Sequence, residues 1–224
     1  MSLNYLTVPA NTTSPQGLIV LLHGWGANAR DVQALAPYLK QPAYQYIFPE
    51  APFPHPSTPA GKMWYDLTPD LQFEGTPGFR DRPDVSQSRQ QLTDLLQTLA
   101  QTTGVPLSRT ILAGFSQGGA MTLDVGLSLP LAGLMVLSGY LHAPPAAQSA
   151  PPTLMVHGIQ DMVVPITAAR RAKNALQAQG IAVQYQEYEG MGHEISLLVL
   201  EQMQAFINTV LHSSVNTPEE TTIG

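Results

Sequence analysis

The stretch Thr110-Ile111-Leu112-Ala113-Gly114-Phe115-Ser116-Gln117-Gly118-Gly119-Ala120-Met121 decides how this chain folds. Residues 110–113 form a short apolar run of the kind found in strands buried on both faces, and residues 118–129 carry a helical pattern. Between them, Gly114-Phe115-Ser116-Gln117-Gly118 sets one serine between glycines two positions away on either side. A strand that turns abruptly into a helix forces its turning residue into a backbone conformation that few side chains tolerate. Flanking glycines remove the Cβ atoms that would collide there, and Gly119 lets the helix lie close to the strand. This strand, turn and helix context is what a nucleophile elbow requires.

Working outward, residues 18–22, 134–137 and 153–156 are further runs rich in Val, Ile and Leu, bounded by turn residues, and with 110–113 they are expected to be the central strands. Residues 45–48 also read as a strand, and Val183–Tyr188 alternates, placing it nearer an edge. Helices are expected over 31–39 and 167–179. Two further amphipathic faces are formed by Val85, Leu92, Leu95, Leu96 and Leu99, and by Ile195, Leu198, Val199, Met203, Phe206, Ile207 and Val210. Strands alternating with helices predict an α/β fold with a mainly parallel central sheet and helices on both faces. A long loop, residues 49–83, interrupts this rhythm. It opens with five prolines, carries Phe53, Trp64, Tyr65, Phe73 and Phe79, and is expected to lie near the active site. Residues 1–212 are expected to form one domain, and the polar residues 213–224 a disordered tail.

With 44% apolar residues in 224, the chain can bury a substantial core. Charged residues are only 12%, and 19 Gln keep the surface polar instead. The net charge of −6 repels phosphate backbones and anionic lipid, so nucleic-acid binding is not expected. Zero cysteines exclude disulfides, thiolate metal sites and a cysteine nucleophile. No apolar run approaches the length of a membrane span and no basic leader precedes one, so stable membrane insertion is not expected and a cytoplasmic location is.

A serine hydroxyl needs a base within hydrogen-bond reach and a third group that fixes the base's tautomer. Of six histidines, His193 is best placed: it lies in the glycine-flanked Gly190-Met191-Gly192-His193-Glu194, after the last strand and before the last helical pattern. His23 and His157 end apolar runs in His-Gly pairs and read as turn-shaping residues, while His55, His142 and His212 read as loop or tail. Asp161, in His157-Gly158-Ile159-Gln160-Asp161, is the expected acid. Asp124 competes by proximity but falls on the helix after the elbow. The chain order Ser116, Asp161, His193 is that of the α/β-hydrolases. Donors for a developing oxyanion are expected from the backbone amides of Gln117, next to the serine, and Trp25, in His23-Gly24-Trp25-Gly26.

These pieces, with Met63-Trp64-Tyr65-Asp66 and Met162-Val163-Val164-Pro165, resemble the phospholipase/carboxylesterase family of α/β-hydrolases, which includes acyl-protein thioesterases, over nearly the whole chain. The resemblance implies an α/β-hydrolase fold and hydrolysis of carboxylic esters or acyl thioesters through a serine acyl-enzyme, with no metal and no organic cofactor. Trp25 stands where the family commonly has Leu. A small-molecule ester or thioester of small to medium acyl length is the expected substrate, with Trp25, Trp64 and Tyr65 as substrate-binding candidates. Pairing into a homodimer is compatible with this reading. The alternatives are a lysophospholipase or peptidase on the same fold, or a non-catalytic hydrolase-like binding protein.

Overall fold

The computed structural model describes residues 2–67 and 78–212. Phe73 and the expected tail, residues 213–224, lie outside the described residues. The chain runs through β1 (Tyr5–Val8), β2 (Leu18–Leu22), α1 (Ala29–Gln33), α2 (Ala36–Leu39), β3 (Gln45–Pro49), β4 (Phe53–Pro54) and β5 (Lys62–Met63). It continues through α3 (Pro83–Thr103), β6 (Thr110–Phe115), α4 (Gln117–Gly126), β7 (Gly133–Leu137), β8 (Thr153–Gly158), α5 (Ile166–Ala178), β9 (Val183–Tyr188) and α6 (Leu197–His212).

Seven strands form one sheet in the order β1-β3-β2-β6-β7-β8-β9. Only β1 runs antiparallel to its neighbour, and β2 and β6 pair in parallel from Leu18 opposite Thr110 to Leu22 opposite Gly114. The central strands are buried along their length apart from Phe115 at the end of β6, so successive side chains enter different cores. Leu18, Val20 and Leu22 join Leu112, Leu134 and Val136 beneath α3, α4 and α5, whereas Ile19 and Leu21 join Ile111, Met135 and Leu154 beneath α1, α2 and α6. A fully buried side chain of this kind contributes about 1.5–3 kcal/mol.

The mainly parallel sheet with helices on both faces matches the expectation, and β9 does lie at an edge. Three details differ. The half-buried β1 completes the other edge, its alternation too short and too mild to stand out. The expected helix over 31–39 is two short helices: Asn28 caps the first through a capping box, and Pro37, in the first turn of the second, has no N–H to continue the first. The loop over 49–83 contains the β4–β5 hairpin and a 3₁₀ turn over Phe79–Asp81.

Candidate active site

Strand β6 ends on Phe115 and leads into Ser116, which sits at φ 55°, ψ −116°, a positive φ that a residue other than glycine adopts only where its surroundings impose it. The surroundings here are tight. A Cβ on Gly114 would stand 2.2 Å from the Gly118 carbonyl oxygen, and one on Gly118 would stand 2.6 Å from the carbonyl oxygens of His23 and Leu22. The Ser116 amide donates to the Leu137 carbonyl at 2.8 Å, tying the elbow to β7.

Strand β8 leads to Asp161, whose carboxylate is fully saturated. Oδ1 accepts from the amides of Val163 and Val164 at 2.9 and 2.8 Å, and Oδ2 accepts from Nδ1 of His193 at 2.7 Å. A second imidazole approaches as well: Nε2 of His157 donates to the Val164 carbonyl at 2.8 Å and lies 3.3 Å from Asp161 Oδ2. Burial alone would raise the Asp161 carboxyl, but the hydrogen bonds from His157, His193 and the Val164 amide outweigh it and hold the group well below the usual carboxylate range. The Asp161 contact assigns the His193 proton to Nδ1 and leaves Nε2 as an acceptor. The His193 ring lies with its centroid 4.7 Å from that of Phe115, the residue before Ser116.

The loops bearing Asp161 and His193 are laced together. Gly190 N–H donates to Gln160 Oε1 at 2.7 Å, Gln160 N–H donates to the Met191 carbonyl at 3.1 Å, and Ile159 N–H donates to the Tyr188 carbonyl at 2.9 Å.

The turn 23–26 covers the elbow, with a Cβ on Gly24 falling 3.4 Å from Ser116 Cβ. His23 is buried, and burial lowers its pKa. Its Nδ1–H donates to the Gly24 carbonyl at 2.8 Å, and its Nε2 accepts from the Ala51 amide at 3.1 Å. In a trans peptide the carbonyl and the next N–H point in opposite directions, so the Trp25 amide is turned away from the His23 ring. The Trp25 indole is 38% exposed and meets His55 edge-on at 4.1 Å, which places it at the surface rather than in the core.

Trp64 and Tyr65, expected to bind substrate, are placed differently: both are fully buried, so neither presents a surface to a ligand. The reason is their polar handles, all of which are taken up inside. Trp64 Nε1–H donates to the His23 carbonyl at 3.0 Å, and Tyr65 Oη lies 2.6 Å from Tyr140 Oη and 2.8 Å from His142 Nε2. His142, read as an ordinary loop residue, is likewise buried, and nothing in its local sequence marks it. Asp124 takes no part in the His193 contact. Its buried carboxylate meets Arg80 and Arg89, each at 2.6 Å, and lies 3.9 Å from His142 Nδ1. Among the described residues no group of three His, Cys, Asp or Glu gathers to hold a metal ion, and no helix is long and apolar enough to cross a membrane.

Comparison with known proteins identifies the family. The chain is 30% identical over 233 residues to acyl-protein thioesterase 1 of Saccharomyces cerevisiae, covering 94% of this chain and all of that one. It is 29% identical over 216 residues to carboxylesterase SOBER1 of Arabidopsis thaliana, covering 89% and 92% of the two chains. The crystal structure of esterase PE8 superposes with a TM-score of 0.86 at 32% identity, covering 94% of this chain and all of that one. The family described as phospholipase/carboxylesterase matches residues 3–211, and this chain therefore belongs to the phospholipase/carboxylesterase family, on an α/β-hydrolase fold.

Proposed function

We propose that the protein is a serine hydrolase of carboxylic esters and acyl thioesters, with Ser116 as nucleophile, His193 as base and then acid, and Asp161 as the group that orients His193. The observation that carries this is the 2.7 Å bond from His193 Nδ1 to a saturated, buried Asp161, beside a serine held at φ 55°. His193 Nε2 removes the Ser116 proton as Oγ attacks the acyl carbon. The imidazolium that forms is compensated by Asp161, and the negative charge on the acyl oxygen is received by the amides of Trp25 and Gln117. Collapse breaks the ester or thioester bond, and the departing alcohol or thiol takes the proton from His193. Water, deprotonated by the same nitrogen, then attacks the acyl-enzyme and releases the carboxylic acid and Ser116.

The single family match over residues 3–211 supports reading 1–212 as one catalytic domain. Small to medium acyl groups are the proposed substrates. Exposed Met162 and Val163 beside Asp161, Leu197 and Leu198 after His193, and the Trp25 indole give apolar surface on the segments that bear the site. The names of the relatives, thioesterase and carboxylesterase, support both leaving groups. The test is a chain-length series of nitrophenyl esters run beside acyl thioesters, with fluorophosphonate labelling and Ser116→Ala as the blank. Ser116→Ala and His193→Ala should each lower kcat by at least about 10⁴, and the double variant should be scarcely worse. An unreactive Ser116 would favour a ligand-binding protein on the same fold.

A further inference from the structure

We infer that Trp64 and the side chain of Gln117 form a brace that positions both oxyanion donors, so that Trp64 serves the reaction from inside the protein as a positioning residue. The inference rests on the reading of the Trp25 and Gln117 amides as those donors. Gln117 is the first residue of α4, a position where a polar side chain ordinarily faces water, yet it is buried. A buried carboxamide must find partners for both ends. Here both belong to one segment of the long loop: Oε1 accepts from Trp64 N–H and Nε2 donates to the Tyr65 carbonyl, each at 2.8 Å.

Trp64 is joined to the rest of the site at three points. Its amide holds Gln117, its indole N–H holds the His23 carbonyl at 3.0 Å, and its own carbonyl accepts from Ser88 Oγ on α3. The His23 carbonyl is also the atom against which Gly118 lies, since a Cβ there would approach it to 2.6 Å. One buried residue therefore grips the start of α4 and the exit of β2, the two places from which the donors project. The peptide after that carbonyl is fixed in turn by His23 Nδ1–H on the Gly24 oxygen, at 2.8 Å, which aims the Trp25 amide.

Such a grip matters because the turn Gly24-Trp25-Gly26 has little stiffness of its own. Oxyanion donors accelerate acyl transfer only if they already point at the developing charge when it appears. A brace that sets their separation should therefore act on the transition state and leave ground-state binding of the acyl group alone.

Two substitutions test this. Trp64→Phe keeps a buried ring and removes the indole N–H, while Gln117→Met keeps the backbone donor and the side-chain length and removes both amide bonds. The readouts are kcat and KM for a short nitrophenyl ester, the affinity of an alkyl boronic acid, whose tetrahedral serine adduct puts an oxygen at the oxyanion position, and inhibition by the corresponding free carboxylate. Active sites are counted by the fluorophosphonate end point. Loss of a whole oxyanion donor costs about 10²–10³ in kcat, so misaiming one should cost about 10- to 100-fold. Boronate affinity should fall in parallel, with KM and carboxylate inhibition within about threefold of the parent. Unchanged kcat and boronate affinity with a lowered melting point would overturn the brace, as would an equal loss of boronate and carboxylate binding. If one variant yields no folded sites, the other decides. A parent enzyme that turns over esters but binds no boronate would overturn the donor assignment itself, and this inference with it.

Discussion

Gly158, the last residue of the strand that leads to Asp161, lies close against the loop that carries His193. A methyl group there would stand 2.3 Å from the Met191 carbonyl oxygen and 2.5 Å from that of Gly192, inside the 3.0 Å that real Cβ contacts respect. Both obstacles are backbone, so no side chain can rotate out of the way. The strand cannot retreat either, because His157 and Gly158 pair with Glu187 and Tyr188 of β9 and all of β8 is buried. In Gly158→Ala the loop must give way by about 0.7 Å, and His193 follows immediately after Gly192. Although Gln160 ties the two loops, Asp161 is held in its own loop by the Val163 and Val164 amides, which resist its following His193, and the 2.7 Å bond stretches beyond good hydrogen-bond length. Misplacement on the order of 1 Å costs about 10²-fold, so kcat/KM should fall by about 30- to 100-fold, while the strain lowers stability by about 1–3 kcal/mol. The assay is kcat/KM on a short nitrophenyl ester beside the fluorophosphonate labelling rate of Ser116, with a urea midpoint to confirm folding. Both rates need His193 and should fall together. Activity within threefold of the parent would refute the claim that this contact holds the base in place.

Asp161→Asn should keep the fold and lower kcat by about 10³–10⁴, because an amide favours the wrong imidazole tautomer and leaves the imidazolium uncompensated. Since the Asp161 carboxyl is held well below the usual range, the parent pH profile should show no inflection from it at about pH 4, and finding one would move the acid elsewhere. Asp124 is a matter of stability: burial alone would raise its pKa, but His142, Arg89 and Arg80 outweigh that and lower it from 3.8 to about 2. A depressed carboxyl stabilises the folded state above the unfolded value and loses that contribution as pH falls through the folded one, here about 2 kcal/mol lost between about pH 4 and 2. Asp124→Asn should therefore lower stability by about 2–4 kcal/mol at neutral pH, with a smaller gap from the parent at about pH 3. An equal gap in urea midpoint at both pH values would show that charge is not its source. Trp25→Ala retains the backbone amide, so turnover of an acetyl ester should fall less than about tenfold, while kcat/KM for longer acyl chains should improve relative to short ones by about 1–2 kcal/mol. A large drop in midpoint with an unchanged chain-length profile would contradict the exposed placement of the indole.

The central sheet was legible because strands buried on both faces leave no room for polar residues, so the runs at 18–22, 110–113, 134–137 and 153–156 stand out against their flanks. Edges are harder. Val183–Tyr188 alternates over its first four residues and could be read, whereas Tyr5–Val8 is only partly buried and takes its place by pairing with a strand some forty positions away. The start of α1 was written in Asn28 and the break before α2 in Pro37, but the apolar spacing on either side concealed both.

At the site, the legible residues are those whose chemistry demands a local backbone signature. Ser116 needs flanking glycines, and His193 and Asp161 lie on loops that follow strands at the carboxyl edge. The residues behind them carry no such signature. Trp64 meets partners 41 and 53 positions away, and Tyr65 meets partners 75 and 77 positions away. An aromatic in a proline-rich loop reads the same whether its polar atom faces a ligand or a distant carbonyl. What decides is the supply of unpaired backbone groups around it. The His23 carbonyl, at the end of a parallel strand in a crowded turn, must find a donor. The Trp64 indole supplies one, and in doing so the ring enters the interior. The same demand acts on the side-chain carboxamide of Gln117, which is buried where its helix begins. Trp64 and Tyr65 of the loop thus meet hydrogen-bonding needs created by the elbow itself, which is why both lie in the interior, while exposed apolar side chains come from Trp25 and from the segments around Asp161 and His193.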